Sequence, residues 1–270
     1  MIDAHFHMWQ LARGDYGWLT PELGPIYRDV GLDDWRRARA GCGIDGGILV
    51  QAAATEAETQ FLLQQAEEAP DVLGVVGWVE LLASDAAERI VQLAQSPKLK
   101  GLRPMLQDIA NPDWILQEAL QPALDAMRSS DLTLDALVKP LQLPRIEQLA
   151  LRNPGLRIVI DHAGKPDIAR GQWNDWASSL ERLARLPEVF CKLSGLWTEA
   201  APGASAAMLA PYVDHVLACF CPQRTLWGSD WPVLEMASTY PRWHALAWDQ
   251  VPPPDRAAVF DTVARQAYHL

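Results

Sequence analysis

The stretch Gly46-Gly47-Ile48-Leu49-Val50-Gln51, followed by Thr55-Glu56-Ala57-Glu58, decides the fold class. The first run is continuously apolar up to Gln51, which is typical of a strand covered on both faces in a parallel sheet. The second run is a capping box, in which a threonine and a glutamate three residues later mark the start of a helix. One strand followed at once by one helix is the repeating unit of α/β folds.

Seven further strand-like runs occur along the chain, most of them followed by a segment with helix start signals. The eight predicted strands span residues 2–7, 46–51, 72–82, 99–106, 132–138, 157–162, 189–193 and 225–228. Eight such units without a linker favour a (β/α)8 TIM barrel, with room for slight distortion, over an open doubly wound sheet. An open sheet also needs a topological switch point, and the Gly-rich phosphate turn that often marks one is absent. We therefore predict one α/β barrel domain over residues 1–270; two small domains are the alternative that the length allows.

The composition narrows the function classes. The formal net charge is −11 and no run of Lys or Arg occurs, which argues against nucleic-acid and anionic-membrane partners. No secretory leader pattern or long apolar run is present, so we expect a soluble, cytoplasmic protein. The cysteines show no Cys-x-x-Cys spacing and are interpreted as buried free thiols; they are Cys42, Cys191, Cys219 and Cys221.

A histidine pair, His5 and His7, lies in the first predicted strand. Because strand side chains alternate, the pattern predicts two opposite faces, with Asp3, His5 and His7 on one and Ile2, Ala4 and Phe6 on the other. Two imidazoles at this spacing suit Zn²⁺ or a similar ion, although a hydrogen-bonded structural pair explains the same pattern. Asp230 supplies an acidic partner at the end of the last strand.

Polar residues near the predicted strand ends are the other candidates for a functional site, because a parallel barrel carries its chemistry at the C-terminal ends of its strands. Besides the histidine pair and Asp230, this criterion selects Gln51, Glu80, Arg103, Asp135, Lys139, His162, Lys192 and Ser194.

Four motifs together resemble those of the amidohydrolase superfamily. They are Ile2-Asp3-Ala4-His5-Phe6-His7, Ile160-Asp161-His162-Ala163-Gly164-Lys165-Pro166, Lys192-Leu193-Ser194-Gly195-Leu196 and Trp227-Gly228-Ser229-Asp230-Trp231-Pro232. The likeness extends over the whole chain and is greatest to the amidohydrolase 2 lactonase branch, which includes L-fuconolactone, L-rhamnonolactone, sulfomuconolactone and pyrone-dicarboxylate hydrolases. The resemblance implies a carboxylic ester hydrolase of carbohydrate catabolism that opens a small sugar lactone, such as L-fuconolactone, to its aldonic acid.

The chain departs from the superfamily's fuller metal sites, which add ligands from strand four or five. The fifth predicted strand, residues 132–138, contains no histidine. The ligand candidates are therefore His5, His7, His162 and Asp230. We expect one divalent ion at most, with Zn²⁺ preferred, and no strict requirement for it.

Asp230 and His162 are the predicted catalytic residues. A carboxylate at the barrel mouth accepts a proton from the attacking water, and an imidazole carries a proton to the departing ring alkoxide. The structural alternatives are a helix N-cap for Asp230 and a loop-bonding role for His162. Asp161 is expected to face the opposite side from His162 and to be structural.

Arg103 leads the predicted substrate-binding residues, as a cation for the carbonyl oxygen or the substrate hydroxyls; the alternative is a salt bridge to Asp135 or Glu80. Lys192 and Lys139 are weaker candidates, because lysines at a rim are usually solvated. The long first loop, residues 8–30, is a candidate lid. The remaining predicted substrate-binding residues are Gln51, Lys139, Trp9, Tyr16, Trp18 and Trp197, whose aromatic members suit sugar C–H faces or serve as lid packing.

Three alternatives to a sugar lactonase stay open at this point. A metal-dependent decarboxylase shares the His-x-His and final aspartate but generally uses a histidine on strand five. A hydrolase of a dicarboxylate lactone needs several cations at the mouth, where only Arg103 is well positioned. A non-catalytic sugar-binding barrel is the third. In each case the expected partner is a small molecule, and the sequence predicts no oligomeric state.

Overall fold

The computed structural model describes every residue from Met1 to Leu270, and its eight strands form one parallel sheet in chain order. Each strand lies within a run predicted from the sequence, so the eight predicted strands are confirmed, most of them with shorter ends. The strands are β1 Ile2–Phe6, β2 Gly46–Val50, β3 Val72–Gly77, β4 Leu99–Leu102, β5 Thr133–Ala136, β6 Ile158–Ile160, β7 Val189–Leu193 and β8 Thr225–Trp227.

The sheet closes where β1 meets the segment that follows β8. Phe6 and Trp231 form a parallel bridge at this seam. The amide of His7 donates to the carbonyl of Trp231 at 2.8 Å, and the amide of Asp230 donates to the carbonyl of His5 at 2.8 Å. The predicted (β/α)8 barrel is therefore confirmed.

Nine α-helices accompany the strands, and each link between successive strands contains one. They are α1 Leu32–Ala38, α2 Glu56–Glu67, α3 Ala86–Leu93, α4 Gln121–Ser129, α5 Leu143–Arg152, α6 Asn174–Leu183, α7 Ala206–Phe220, α8 Tyr240–Gln250 and α9 Val263–Tyr268. Only half of the predicted capping box before α2 forms: Thr55 Oγ1 accepts the amide of Glu58 at 3.1 Å, but the Glu58 carboxylate accepts from the amides of Ala52 and Ala53 instead of Thr55. Pro122 lies in the first turn of α4, where its missing N–H costs no intrahelical bond.

The last helix covers the end of the barrel at which the strands begin. Residues of α9 pack against Ile2, Ile48 and Leu226 in one buried apolar cluster. The Thr133 hydroxyl donates to the carbonyl of Ala267 at 2.6 Å, which fixes α9 to the start of β5. With this end closed, the polar interior opens only toward the carboxyl ends of the strands.

A β-bulge in β1 changes which side chains face the barrel interior. Between the pairs Asp3–Gly47 and Phe6–Leu49, β1 advances three residues while β2 advances two. Phe6 stacks on Trp35 of α1, and the Asp3 carboxylate accepts the Trp35 indole N–H at 3.1 Å, so both point toward the helices. The predicted face shared by Asp3, His5 and His7 is therefore wrong, because the bulge turns His5 inward and leaves Asp3 outside.

Two further expectations concern the membrane and the thiols. No helix combines the length and the apolar character needed to cross a bilayer. All four cysteines are free, as predicted; Cys42 and Cys191 are buried, but Cys219 is half-buried and Cys221 is exposed.

Candidate active site

Four buried side chains converge at the open end of the barrel. His5 and His7 come from the end of β1, His162 follows β6, and Asp230 follows β8. The Nε2 atoms of His5 and His7 are 3.1 Å apart. Asp230 Oδ1 lies 3.7, 3.5 and 3.8 Å from Nε2 of His5, His7 and His162 respectively. Residues from both ends of the chain thus share one point.

His162 and Asp230 are placed in the site by a left-handed backbone conformation. His162 has φ +51° and Asp230 has φ +58°, a region that residues with a side chain rarely occupy and that concentrates at functional sites. The His162 ring is held by a 2.9 Å contact between its Nδ1 and Ser194 Oγ. A Cβ at Gly195 would lie only 2.7 Å from His162 Cγ, so the missing side chain there leaves room for the ring.

The donor atoms of this cluster suit a single divalent ion. Tetrahedral zinc with bonds of about 2.0–2.1 Å needs ligand atoms about 3.3–3.4 Å apart. The separations among His5 Nε2, His7 Nε2 and Asp230 Oδ1 are 3.1, 3.5 and 3.7 Å, close to that requirement. A second group of converging donors consists of His5, Asp161 and His162, so both groups include His5.

A layer of buried charge lies directly beneath the histidines. Lys192 Nζ is 2.7 Å from Asp135 Oδ2 and 2.8 Å from Asp161 Oδ1. Arg103 Nη1 is 3.3 Å from Asp161 Oδ2 and 3.4 Å from His5 Nε2. Since a buried carboxylate is costly unless it is paired, these cations stabilise the two aspartates inside the barrel.

Three expectations about this layer are wrong. Lys192 is completely buried and is not a solvated rim lysine. Asp161 does not face away from the site, because the left-handed turn at His162 lets both residues point inward. Arg103 does form a salt bridge, but its partner is Asp161 instead of Asp135 or Glu80.

Burial and neighbouring charges set the protonation of the cluster. Burial disfavours ionisation of Asp230, but His162, His7 and His5 outweigh it and lower the pKa of this carboxyl well below its usual range. Burial lowers the pKa of His162 to about 4, against the opposing effect of Asp230. Burial and then Lys192 lower the pKa of His5 well below its ordinary value. At neutral pH the site therefore contains an anionic Asp230 beside neutral His5 and His162.

A cavity of about 270 Å³ opens above Asp230. A larger groove of about 850 Å³ lies on the outer surface and contains none of the predicted site residues, so we take the smaller cavity as the active-site candidate. Its walls combine apolar side chains with a few convergent polar groups, as is usual for small-ligand sites. They are formed by His7, Trp18, Ala52, Arg103, Met105, Gln107, Asp108, Leu137, His162, Lys165, Asp230 and Val233.

The Amidohydrolase family model (Amidohydro_2) matches residues 2–270. The chain belongs to the amidohydrolase family. The resemblance found in the four sequence motifs is therefore confirmed.

Named relatives narrow the comparison within the amidohydrolases. An L-fucono-1,5-lactonase from Burkholderia ambifaria is 45% identical over 276 residues, covering all of this chain and 95% of that protein. An L-fucono-1,5-lactonase from Burkholderia multivorans is 34% identical over 284 residues, covering 100% and 96%. A crystal structure of a B. multivorans amidohydrolase with bound zinc superposes with a TM-score of 0.94 at 33% identity, covering 100% and 99%.

The residues predicted for substrate binding in this amidohydrolase divide into four groups. Arg103 and Trp18 line the cavity, and the Trp18 indole N–H donates to the carbonyl of Ala52 at 2.7 Å. Gln51 lies behind the wall and donates to the carbonyl of Arg103 at 2.8 Å. Within the first loop, Trp9 packs edge-on against Trp18, and Tyr16 packs against Trp9. Lys139 and Trp197 do not line the cavity.

The first loop, predicted to be a lid, is closed at its base. Trp9 and Val30 form an antiparallel bridge, with backbone hydrogen bonds of 3.0 and 2.9 Å. The bridge joins the two ends of the loop, and Trp18 between them reaches the cavity.

Sequence reasoning missed several residues of the cavity wall. Lys165 belongs to the quoted Asp161–Pro166 motif, so a signal for it was present; its Nζ pairs with Glu199 Oε1 at 2.5 Å. The other missed residues follow β2, β4, β5 or β8 in loops and short 3-10 helices, where no periodic pattern marks them. They are Ala52, Met105, Gln107, Asp108, Leu137 and Val233.

Proposed function

We propose that this amidohydrolase hydrolyses L-fucono-1,5-lactone, or an aldonolactone of closely related shape, to the free aldonic acid. The observation that carries the proposal is the 45% identity, over the whole chain, to a protein named L-fucono-1,5-lactonase. The cavity adds independent support, because it places a carboxylate, two imidazoles and a guanidinium around a space of small-molecule size.

Asp230 is the proposed base. Its carboxylate lies at the floor of the cavity and is ionised at neutral pH, so it accepts a proton as a water oxygen attacks the lactone carbonyl. Because its pKa is held low, the protonated form is a strong acid and gives the proton up readily. The proton then passes to the ring oxygen as the acyl–oxygen bond breaks.

His162 and Arg103 are proposed to act on the two oxygens that gain negative charge in that reaction, the departing ring oxygen and the carbonyl oxygen. The His162 ring lies 3.8 Å from Asp230 Oδ1 and is neutral, so it relays the proton to the departing alkoxide. The Arg103 guanidinium is fixed by Asp161 and by the carbonyl of Gln51, so it meets the developing carbonyl oxyanion without reorganisation.

We also propose that His5, His7 and Asp230 hold one divalent ion, of which zinc fits the measured separations. When bound, such an ion polarises a carbonyl and acidifies water. The zinc-bound structure of the B. multivorans amidohydrolase supports this site, and so does the convergence of the donor atoms. We do not propose a strict requirement for the ion, since Arg103 and Asp230 already supply a cation and a base.

The two enzymatic alternatives are less well supported. β5 carries Asp135 at the barrel interior and no histidine, which disfavours a decarboxylase site. The cavity wall contains two cations, Arg103 and Lys165, and Lys165 is already neutralised by Glu199, which disfavours a dicarboxylate lactone.

The four free cysteines bear on where the protein is located. A reducing compartment keeps cysteines as free thiols, and we propose a cytoplasmic location on that ground.

A pH-indicator assay over a panel of aldonolactones tests the proposal, with L-fuconolactone and galactonolactone at its centre. We expect acid release from these two, and none from dicarboxylate lactones or, as CO₂, from aromatic acids. Parallel reactions with a chelator measure the contribution of the metal. Binding of lactones without turnover across the panel would indicate a non-catalytic barrel and reject the proposal.

A further inference from the structure

Lys165 lines the cavity but has no part in the reaction proposed above. It ends one turn of left-handed backbone that begins at His162, and residues 162, 163, 164 and 165 have φ of +51°, +51°, +69° and +50°. The amide of Lys165 donates to the carbonyl of His162 at 2.8 Å and closes the turn. Gly164 alone among the four lacks a side chain, so the conformation is unfavourable at the other three positions.

This turn places the side chain of Lys165 on the same side as that of His162. Its hydrogen bond joins residues three apart, and side chains at that spacing lie over one another in backbone with three residues per turn. Both residues accordingly line the cavity. The His162 ring is held by Ser194, a contact that does not involve Lys165. The continuation of the strained turn therefore brings a second polar side chain to the cavity wall.

The ammonium of Lys165 keeps hydrogen-bond donors that the protein does not use. An ammonium has three N–H groups and no acceptor. Glu199 Oε1, at 2.5 Å, is the one protein partner of Lys165 Nζ, so two N–H groups are left beside the cavity. Because Glu199 compensates the charge, these donors suit a neutral oxygen, such as a hydroxyl, better than a carboxylate.

A tie between two loops is the structural alternative for this ion pair. The loop after β6 and the loop after β7 are already joined by the amide of Ala169, which donates to the carbonyl of Glu199 at 3.0 Å. The side chains of Lys165 and Glu199 are 20% and 21% exposed, and ion pairs in contact with solvent stabilise a fold little. The position of Lys165 on the wall therefore needs a further reason.

We propose that Lys165 is a substrate-binding residue that donates a hydrogen bond to a ring hydroxyl of the lactone and thereby selects polyhydroxylated lactones over deoxy lactones. This role rests on the lactonase function proposed above. Hydrogen bonds from charged donors are stronger than neutral ones, and a site built to bind a hydroxyl discriminates against an analogue that lacks it.

Steady-state hydrolysis of L-fuconolactone and of three analogues, each lacking one ring hydroxyl, tests the proposal. Lys165→Met alone leaves Glu199 without its cation, so the comparison uses Lys165→Met/Glu199→Gln against Glu199→Gln. Methionine is unbranched like lysine, which keeps the left-handed backbone at position 165 comparable. We expect the double variant to lose about 10- to 100-fold in kcat/KM for L-fuconolactone, the scale of a hydrogen bond to a charged group. For one of the analogues the same comparison should show a loss of less than about threefold, because the partner hydroxyl is missing.

Arg170→Met is the charge-matched control. Arg170 lies in the same loop, pairs with Asp167 at 3.1 Å and does not line the cavity, so we expect wild-type kcat/KM for every substrate. An equal loss in the double variant on L-fuconolactone and on all three analogues would mean that Lys165 acts on the reacting oxygens, and it overturns the proposal. Activity of the double variant within about threefold of Glu199→Gln on L-fuconolactone overturns it as well.

Glu199→Gln by itself gives a second measurement, which decides the matter where the double variant does not fold. It breaks the ion pair but leaves the ammonium on the wall, so we expect kcat/KM within about threefold of the wild type. A loss of about tenfold or more would show that the ion pair acts by tying the loops, against the proposal.

These outcomes are separable from the lactonase proposal. Wild-type turnover of L-fuconolactone is measured first, and its absence rejects the lactonase function together with this role of Lys165. Normal wild-type turnover without the expected discrimination among the variants rejects the role of Lys165 alone.

Discussion

Replacing Gly195 with alanine tests whether the position of His162 limits catalysis. Gly195 follows β7 with φ +66°, and a Cβ there would lie 2.7 Å from both Cγ and Nδ1 of His162. Ordinary van der Waals contacts begin at 3.4 Å, so one of the two groups must shift. The ring is the group at risk, because Gly195 is fixed by the backbone that follows a buried strand.

The size of the shift sets the expected loss. Closing the gap takes about 0.7 Å, and misplacement of a catalytic group by about 1 Å costs roughly 100-fold in rate. We therefore expect kcat for the lactone to fall by about 30- to 100-fold. This loss corresponds to an increase of about 2–3 kcal/mol in the activation free energy. The movement also breaks the 2.9 Å contact with Ser194 and changes the 3.8 Å approach to Asp230.

Gly203 provides a matched control in the same loop region. It also has a positive φ, +80°, but nothing lies within 4 Å of an added Cβ. Gly203→Ala therefore carries only the left-handed backbone penalty, about 1–2 kcal/mol, with kcat unchanged. Steady-state hydrolysis and urea denaturation of both variants are the measurements. His162 placement does not limit catalysis if Gly195→Ala retains kcat within about threefold while folding normally, or if both variants lose activity equally.

Three further predictions address the base, the cation and a buried acid. Asp230→Asn lowers kcat by at least about 100-fold with an unchanged far-UV circular dichroism spectrum; near-normal turnover contradicts the assignment. Arg103→Met lowers kcat by about 100-fold, and an effect on KM alone would instead indicate simple substrate binding. Burial raises the pKa of Glu58 from 4.5 to about 7, against the amides of Ala53 and Ala52. Its neutral form therefore contributes stability below pH 4.5 that is lost, by about 3 kcal/mol, as the pH rises to 7. Urea titrations from pH 4.5 to 7.5 should show that Glu58→Gln removes this slope, and an unchanged slope contradicts the assignment.

The fold could be predicted from the sequence because strand and helix signals alternate without interruption. Continuous apolar runs such as Ile48-Leu49-Val50 identify buried parallel strands, and the N-cap threonine Thr55 marks where a helix begins. Strand ends were less predictable. The apolar pattern predicts a third strand that reaches residue 82, but the strand ends at Gly77, because Trp78, Val79 and Leu81 are apolar residues that pack outside the sheet.

The sequence predicts which types of residue form the candidate site, but it does not predict which charged residues pair with one another. Lys192 looks like a rim lysine in isolation, since nothing in its own strand compensates a buried cation. The compensation comes from Asp135 on β5 and Asp161 after β6, and it depends on how the strands are registered around the barrel. The sequence around Lys192 alone therefore does not indicate which carboxylates pair with it.

The two local errors of the sequence interpretation share one physical cause, and that cause builds the site. Strict alternation allows a strand to turn only every second residue inward, so a strand end offers few side chains to the interior. The bulge in β1 and the left-handed turn at His162 both suspend alternation, and each lets neighbouring residues, Ala4 with His5 and Asp161 with His162, face the same interior. The barrel can therefore hold a charged layer directly under a ring of imidazoles. Restoring regular alternation at either point would remove His5 or Asp161 from the cluster, so these irregularities are required for the chemistry and are not defects of folding.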